Sequence, residues 1–343
     1  MLSVLFILFF SLLLIILNFF FKNYNILVDK KRLAHKSFTS KKLVPLSGGF
    51  LIAVYLLLSS NNYFITFFFI LIFILGVFSD LLLILKPLKK FVIQFFIIII
   101  FLFFSKISIL STKVFFIDIF IDNKIFSILF TCFCLLILIN GTNFLDGINT
   151  LVCGYYILVI LTILYIGGHG KIYYNFSDFY YLLLVLLVIF FFNFYSRTYL
   201  GDSGSFLLSF LIGYYLINLC NINLFSTSFI SPIFILLLLW YPAFENLFSI
   251  IRKILTRKKP SEPDNFHLHH LLFSYLNQKI INKSITNSFT AMIINFYNFL
   301  IFFISANFYN KTNILSYLVA INILTYIFFY FFLLKKTTSY SSL

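Results

Sequence analysis

Between residues 140 and 149 the chain reads Asn140-Gly-Thr-Asn143-Phe-Leu-Asp146-Gly-Ile-Asn149, flanked by the apolar runs Ile125 to Ile139 and Leu151 to Ile166. A short connection between membrane helices needs few polar groups. An ionisable group at a membrane edge marks function by default. Asp146 can help hold a cation, and the carboxamides of Asn140, Asn143 and Asn149 can hydrogen-bond a polar ligand. The competing reading is a capped turn, because Asn, Asp and Gly favour turns.

Four further clusters could do chemistry. Tyr199-Leu-Gly201-Asp202-Ser-Gly204-Ser205 sets a carboxylate between glycines where an apolar run begins. Free N–H groups at a helix start favour anions. The acid there can be a cap, or it can carry Mg²⁺, which prefers hard oxygen and phosphate. Gly76-Val-Phe-Ser79-Asp80 closes another run, with Lys86, Lys89 and Lys90 following. That pattern suits a phosphate or a metal, or else an interfacial charge. Pro45-Leu-Ser-Gly48-Gly49 allows a close backbone approach. The last cluster holds Arg252, Lys253, Arg257, Lys258, Lys259 and Pro263-Asp264-Asn-Phe-His267-Leu-His269-His270. Three histidines suggest zinc at first glance, but no Cys accompanies them and the neighbouring cations oppose a metal. Arg and Lys with His better suit a phosphorylated ligand.

These clusters must be positioned by membrane helices. The chain is 62% apolar and 10% charged. Its apolar runs approach or reach the ~20 residues a transmembrane helix needs. Eleven spans are expected, at 2–21, 44–60, 62–79, 91–105, 125–139, 151–167, 180–195, 204–220, 229–248, 287–306 and 314–334. The run Leu2 to Phe21 reads as a retained helix; it lacks the basic start and small-residue cleavage site of a signal peptide. The fold class is all-α, a polytopic bundle in one domain over 1–343, with a His-containing loop at 249–286. Cys132, Cys134, Cys153 and Cys220 lie in or beside apolar runs and read as packing residues.

Of the 25 Lys and Arg residues, 20 fall on alternate connections of one side. The positive-inside rule makes that side cytoplasmic. The N-terminus is then outside and the C-terminus inside. Asp80, Asp146, Asp202, Glu245, Asp264 and the three histidines share the cytoplasmic face. Asp118, Asp122 and Asp178 fall opposite and read as solvated loop charges. The net charge of +15 reads as topology and attraction to anionic lipid. A nucleic-acid role lacks a soluble basic domain to support it.

In order and spacing the five clusters resemble the polyprenyl-phosphate N-acetylhexosamine-1-phosphate transferases, over about residues 25–275. The resemblance implies a cytoplasmic active site in a bacterial inner membrane, Mg²⁺ or Mn²⁺, a UDP-N-acetylhexosamine donor and an undecaprenyl-phosphate acceptor. It implies the first membrane step of a cell-envelope glycan such as O-antigen or lipopolysaccharide, and a homodimer. It makes Asp202 and Asp146 metal ligands. Asp80, Asp202, His267, His269 and His270 become catalytic. Asn140, Asn143, Asp146, Asn149, Tyr199, Arg252, Asp264, Lys41 and Lys42 become substrate-binding, with Tyr199 against the uracil. Two positions depart from the family pattern: Ser79 stands where an Asp is common, and so does Asn149. Two readings compete, a non-catalytic relative that only binds and a lipid-linked-sugar transporter. A transporter would need broken helices or ionisable groups near the bilayer midplane.

Overall fold

The structure is a computed structural model that describes residues 2–29, 43–82, 86–169, 172, 174–224, 229–259, 262, 264–280 and 282–338. Lys41, Lys42 and Pro263 lie outside the described residues. Thirteen helices follow one another among the described residues. They are α1 (Leu2–Asn23), α2 (Gly48–Ser59), α3 (Tyr63–Asp80), α4 (Pro87–Ser105), α5 (Phe115–Ile121), α6 (Lys124–Leu145) and α7 (Leu151–His169). The rest are α8 (Ser177–Phe194), α9 (Gly201–Asn223), α10 (Pro232–Leu255), α11 (Leu268–Asn277), α12 (Lys283–Ala306) and α13 (Thr312–Thr338). Two strands of two residues each, β1 (Val28–Asp29) and β2 (Val44–Pro45), pair antiparallel with Val28 opposite Pro45.

Ten of these helices are long and apolar enough to cross a membrane. The chain is therefore a multi-pass membrane protein of all-α class. The expected second span, 44–60, is corrected: α2 has 12 residues, about 18 Å at 1.5 Å per residue, against a hydrocarbon core of ~30 Å. Residues 44 and 45 form β2 instead.

Local chemistry sets several boundaries. Asn62, Asn123 and Asn282 precede α3, α6 and α12, and each accepts a first-turn backbone N–H through its side chain. That arrangement satisfies an otherwise orphaned donor. Pro87 and Pro232 open α4 and α10, where a missing N–H costs nothing.

α9 is the hub. Its most apolar window is 83% buried, against 17% for α1 and 22% for α4 and α13. α2, α3, α6 and α10 all pack on it. Small residues make this possible. A Cβ on Gly76 of α3 would fall 2.3 Å from Ser203 Cα, and one on Gly49 of α2 would fall 2.5 Å from Gly204 N. The pair Gly48-Gly49 is therefore a helix-packing device.

The reading of Asp118 and Asp178 as solvated loop charges is corrected. Asp118 sits in the first turn of α5. It accepts from Ser111 Oγ at 2.6 Å, Thr112 N at 2.7 Å, Thr112 Oγ1 at 2.6 Å and Lys113 N at 3.1 Å. Asp178 opens α8, where an acid favours the helix dipole. The four cysteines are free thiols.

Candidate functional site

The polar clusters converge at one end of the bundle, where α3, α6, α8 and α10 finish and α4, α7 and α9 start. The first turn of α9 is its centre. Gly201 takes φ +75°, a left-handed conformation that glycine adopts without a Cβ penalty. This turn lets three successive N–H groups point outward. Gly201 N donates to Asp146 Oδ2 at 3.1 Å, Asp202 N to Asp80 Oδ1 at 2.9 Å and Ser203 N to Asp80 Oδ2 at 3.0 Å. Asp80 and Asp146 thus occupy the anion-favouring end of α9. Both oxygens of Asp80 are engaged by backbone.

Asp202 lies in the same turn and is buried. Its Oδ2 accepts from the Ser79 hydroxyl and from Lys90 Nζ at 3.0 Å. One oxygen of Asp202 therefore takes both a neutral donor and an ammonium. Lys90 sits in the first turn of α4 because that helix starts at Pro87, not at 91 as the apolar run suggests.

The expected polar turn at 140–149 is also corrected. α6 continues through Leu145, so Asn140 and Asn143 lie on a helix and only the end of the segment turns. Tertiary packing overrides the turn propensity here: a Cβ on Gly141 would meet Pro242 O of α10 at 1.9 Å. Asn140 Nδ2 donates to Gln94 Oε1 of α4 at 3.1 Å and to Leu136 O at 2.8 Å. Asn143 Oδ1 accepts from Ser205 Oγ at 3.2 Å. A polar seam therefore runs from Asp202 inward between α4, α6 and α9.

Asn149 faces away from this seam. Its backbone N–H donates to Asn287 Oδ1 of α12 at 2.8 Å, and its Nδ2 donates to Ser196 Oγ at 2.7 Å. It ties the α6–α7 turn to α12 and to the connection before α9. Tyr199 is buried against Val44 and Leu46. Its backbone bridges β2 and α2: Tyr199 N donates to Pro45 O at 2.8 Å, and Gly48 N donates to Tyr199 O at 3.1 Å. Sequence reasoning missed a buried triad beside it. Asn18 Nδ2 donates to Thr198 Oγ1 at 2.8 Å, and Ser47 Oγ donates to Asn18 Oδ1 at 2.6 Å. An Asn inside an apolar run was the available signal.

The basic and histidine cluster forms the neighbouring wall. The expected loop at 249–286 is shorter and partly helical, because α10 runs to Leu255 and α11 occupies 268–277. Arg252 Nη2 donates to Asp264 Oδ1 at 3.1 Å, and Nη1 lies 2.9 Å from Oδ2. Burial acts to raise the Asp264 pKa, but the hydrogen bond and charge of Arg252, with His267 and Lys253, hold it below the ordinary carboxylate value. Lys253 Nζ donates to Glu262 O at 2.7 Å. His267 stands 4.9 Å, ring to ring, from Phe144, which joins this wall to the end of α6. His269 and His270 are buried with ring centroids 4.2 Å apart. Burial, then the neighbouring His267, drives the His269 pKa well below the usual imidazole value.

Among the described residues no three His, Cys, Asp or Glu side chains converge as a ready metal-ligand set. A hard divalent cation carried mainly by substrate phosphates needs only one or two carboxylates. Asp146 and Asp202, hard oxygen donors on either side of the Gly201 turn, fit that requirement, with Lys90 competing at Asp202.

Comparison with known proteins bears on this end of the bundle. Over 138 residues the chain is 28% identical to the probable undecaprenyl-phosphate N-acetylglucosaminyl 1-phosphate transferase of Bacillus subtilis (strain 168), a match taking in 40% of this chain and 37% of that protein. Over 167 residues it is 25% identical to the decaprenyl-phosphate N-acetylglucosaminephosphotransferase of Mycolicibacterium smegmatis, covering 44% of this chain and 41% of that one. The matches thus span less than half the length of either relative. Residues 62–220, the segment that carries Asp80, Asn140, Asn143, Asp146, Tyr199 and Asp202, match the model of glycosyl transferase family 4.

Proposed function

We propose that the chain transfers an N-acetylhexosamine-1-phosphate from a UDP-activated donor to a polyprenyl phosphate and releases UMP, at the cytoplasmic face of a bacterial inner membrane. The observation that carries this reading is the first turn of α9. It gathers Asp80, Asp146, Asp202, Ser79 and Lys90 at one end of a membrane bundle. The printed activities of the two relatives support the reaction class. The excess of Lys and Arg on that side supports the cytoplasmic orientation.

The acceptor is a phosphate monoester with a second pKa of about 6, so near neutral pH it needs little deprotonation. Phosphoryl transfer depends chiefly on positioning and charge stabilisation. Direct attack of the lipid phosphate on the sugar-bearing phosphorus needs no protein nucleophile, and a Ser at position 79 is compatible with that. Asp80 holds the α9 turn in place. Lys90, paired with a carboxylate oxygen of Asp202, would meet an incoming phosphate. Arg252 and Lys253 supply the cationic part of the wall for the donor pyrophosphate, and the histidines line it. A divalent cation, Mg²⁺ or Mn²⁺, would be held by Asp202 and Asp146 and would supply charge neutralisation for the phosphates.

The test is direct. Membranes containing the protein are incubated with Mg²⁺, undecaprenyl phosphate and a panel of labelled UDP-N-acetylhexosamines. Label moving into the lipid phase with UMP released is the expected result and names the donor. No transfer from any donor by folded protein overturns the reading.

A further inference from the structure

Glu245 stands where a membrane helix ordinarily carries an apolar residue. It lies within α10, is 1% exposed, and a buried carboxylate is costly unless its lone pairs are satisfied. Both of its oxygens are engaged. Oε1 lies 3.0 Å from His267 Nδ1 and accepts Leu268 N–H at 3.2 Å, while Oε2 accepts Tyr326 O–H at 2.9 Å. Leu268 is the first residue of α11, so the same carboxylate fixes the start of the helix that carries His269 and His270. Tyr326 comes from α13, far from the family segment at 62–220. Its ring is itself packed, 4.9 Å from Phe244 and 5.2 Å from Phe248.

The geometry determines what His267 can do. An ionised carboxylate only accepts hydrogen bonds. An imidazole nitrogen 3.0 Å away must therefore carry a proton, and in the neutral ring the second nitrogen is then the acceptor. That second nitrogen, Nε2, lies 3.7 Å from Asp264 Oδ1, too far for a hydrogen bond. The other groups around the ring are Phe144, His269 and His270.

We propose that Glu245 is a positioning residue of the transfer site, holding His267 as the Nδ1–H tautomer with Nε2 presented as a hydrogen-bond acceptor, and that Tyr326 of α13 fixes the carboxylate in that role. The inference rests on the transfer reading given under Proposed function. Glu245 touches no reacting atom; it acts through His267. The site is then completed by an element near the C-terminal end of the chain. A carboxylate that sets an imidazole tautomer through one nitrogen while the other does the work is a general arrangement.

The test uses the full protein in lipid nanodiscs, labelled with ¹⁵N-histidine, with the His267 signals assigned by their loss in His267→Gln. The expected spectrum shows His267 protonated at Nδ1 alone, and Glu245→Leu, which has no acceptor, loses that preference. In the transfer assay Glu245→Gln lowers kcat at least about tenfold, the scale of losing an outer-shell partner, with donor KM nearly unchanged. Tyr326→Phe, a milder change, lowers kcat in the same sense. An Nε2–H tautomer or a doubly protonated ring in the unsubstituted protein overturns the proposal, and so does an unchanged tautomer in Glu245→Leu or an unchanged kcat in Glu245→Gln. If either Glu245 variant does not fold, the unsubstituted spectrum and the kcat of Tyr326→Phe decide. The spectrum needs no substrate, so absence of transfer by the unsubstituted protein defeats the transfer reading separately.

Discussion

The Lys90 ammonium lies 3.0 Å from Asp202 Oδ2, on the same oxygen that receives the Ser79 hydroxyl. Both partners are largely buried, with side-chain exposures of 22% and 12%. The ammonium already neutralises the Asp202 carboxylate. Removing it should therefore ease cation binding at Asp202. Lys90→Met is expected to tighten Mn²⁺ binding about tenfold, equal to ~1.4 kcal/mol of lost competition, while weakening the acceptor phosphate. Mn²⁺ titration followed by electron paramagnetic resonance reads the first effect without any turnover. Weaker Mn²⁺ binding in Lys90→Met would show that Lys90 supports the cation site instead of competing with it.

Asp80 makes a separate, structural prediction. Its carboxylate takes two N–H groups of α9 and sits at the positive end of that helix's dipole. Asp80→Asn keeps one oxygen acceptor and loses the charge, which should cost about 0.3–1 kcal/mol. Asp80→Ala leaves both donors orphaned and should cost on the order of 1–2 kcal/mol. Thermal unfolding in detergent should rank the unsubstituted protein above Asp80→Asn and that above Asp80→Ala. Equal midpoints for all three would remove the capping role of Asp80.

The 140–149 segment shows where sequence was enough and where it was not. The clustering of Asp146 with Asn140 and Asn143 at a membrane edge was legible from residue type alone, because polar groups are rare in this chain. Their placement on a continuing helix was not. It depends on Gly141 meeting the Pro242 backbone, a contact between residues about a hundred positions apart. Asn149 shows the same limit. Nothing in the sequence signals that its amide bonds Ser196 and its backbone bonds Asn287. Glu245 and Lys90 were visible as charges, but a pairing such as Lys90 with Asp202 follows only from how α4 leans on α9. α2 was misjudged in length because the apolar run through Val44 includes strand residues, and hydropathy does not separate the two.

The Arg252–Asp264 pair predicts an acid limit for the histidine wall. The Asp264 pKa is depressed in the folded protein. A depressed carboxylate contributes stability above its unfolded value, ordinarily near 3.9, and loses it as pH falls through the folded value. The segment around 264–267 should therefore stay docked through mildly acidic pH and release only below the ordinary carboxylate range. Arg252→Gln removes the main lowering influence and leaves burial, which acts upward, so release should move to higher pH. Limited proteolysis of the segment across pH 3 to 6 measures this. An identical cleavage profile for Arg252→Gln would mean that the ion pair does not hold the segment.

Gly76 ties the packing of the hub to the chemistry of the site. A Cβ there would lie 2.3 Å from Ser203 Cα and 2.6 Å from Ser203 N. Both obstacles are backbone, so no side-chain rotation relieves them, and α3 must move away from α9. Ser79 and Asp80 lie one turn further along α3, and their bonds to Asp202 and to the α9 N–H groups would lengthen together. Gly76→Ala is therefore expected to cost at least about 1–3 kcal/mol, the range for an overpacked core, and to abolish transfer even in whatever fraction folds. Gly168 near the end of α7 is the control, since a Cβ there meets nothing within 4 Å. Gly168→Ala should leave stability unchanged or raise it by up to about 1 kcal/mol. Unfolding midpoints and transfer rates for the two proteins, measured side by side, separate a general intolerance of alanine from a specific contact. A Gly76→Ala protein as stable and active as Gly168→Ala would mean that α3 and α9 do not meet as closely as these distances require.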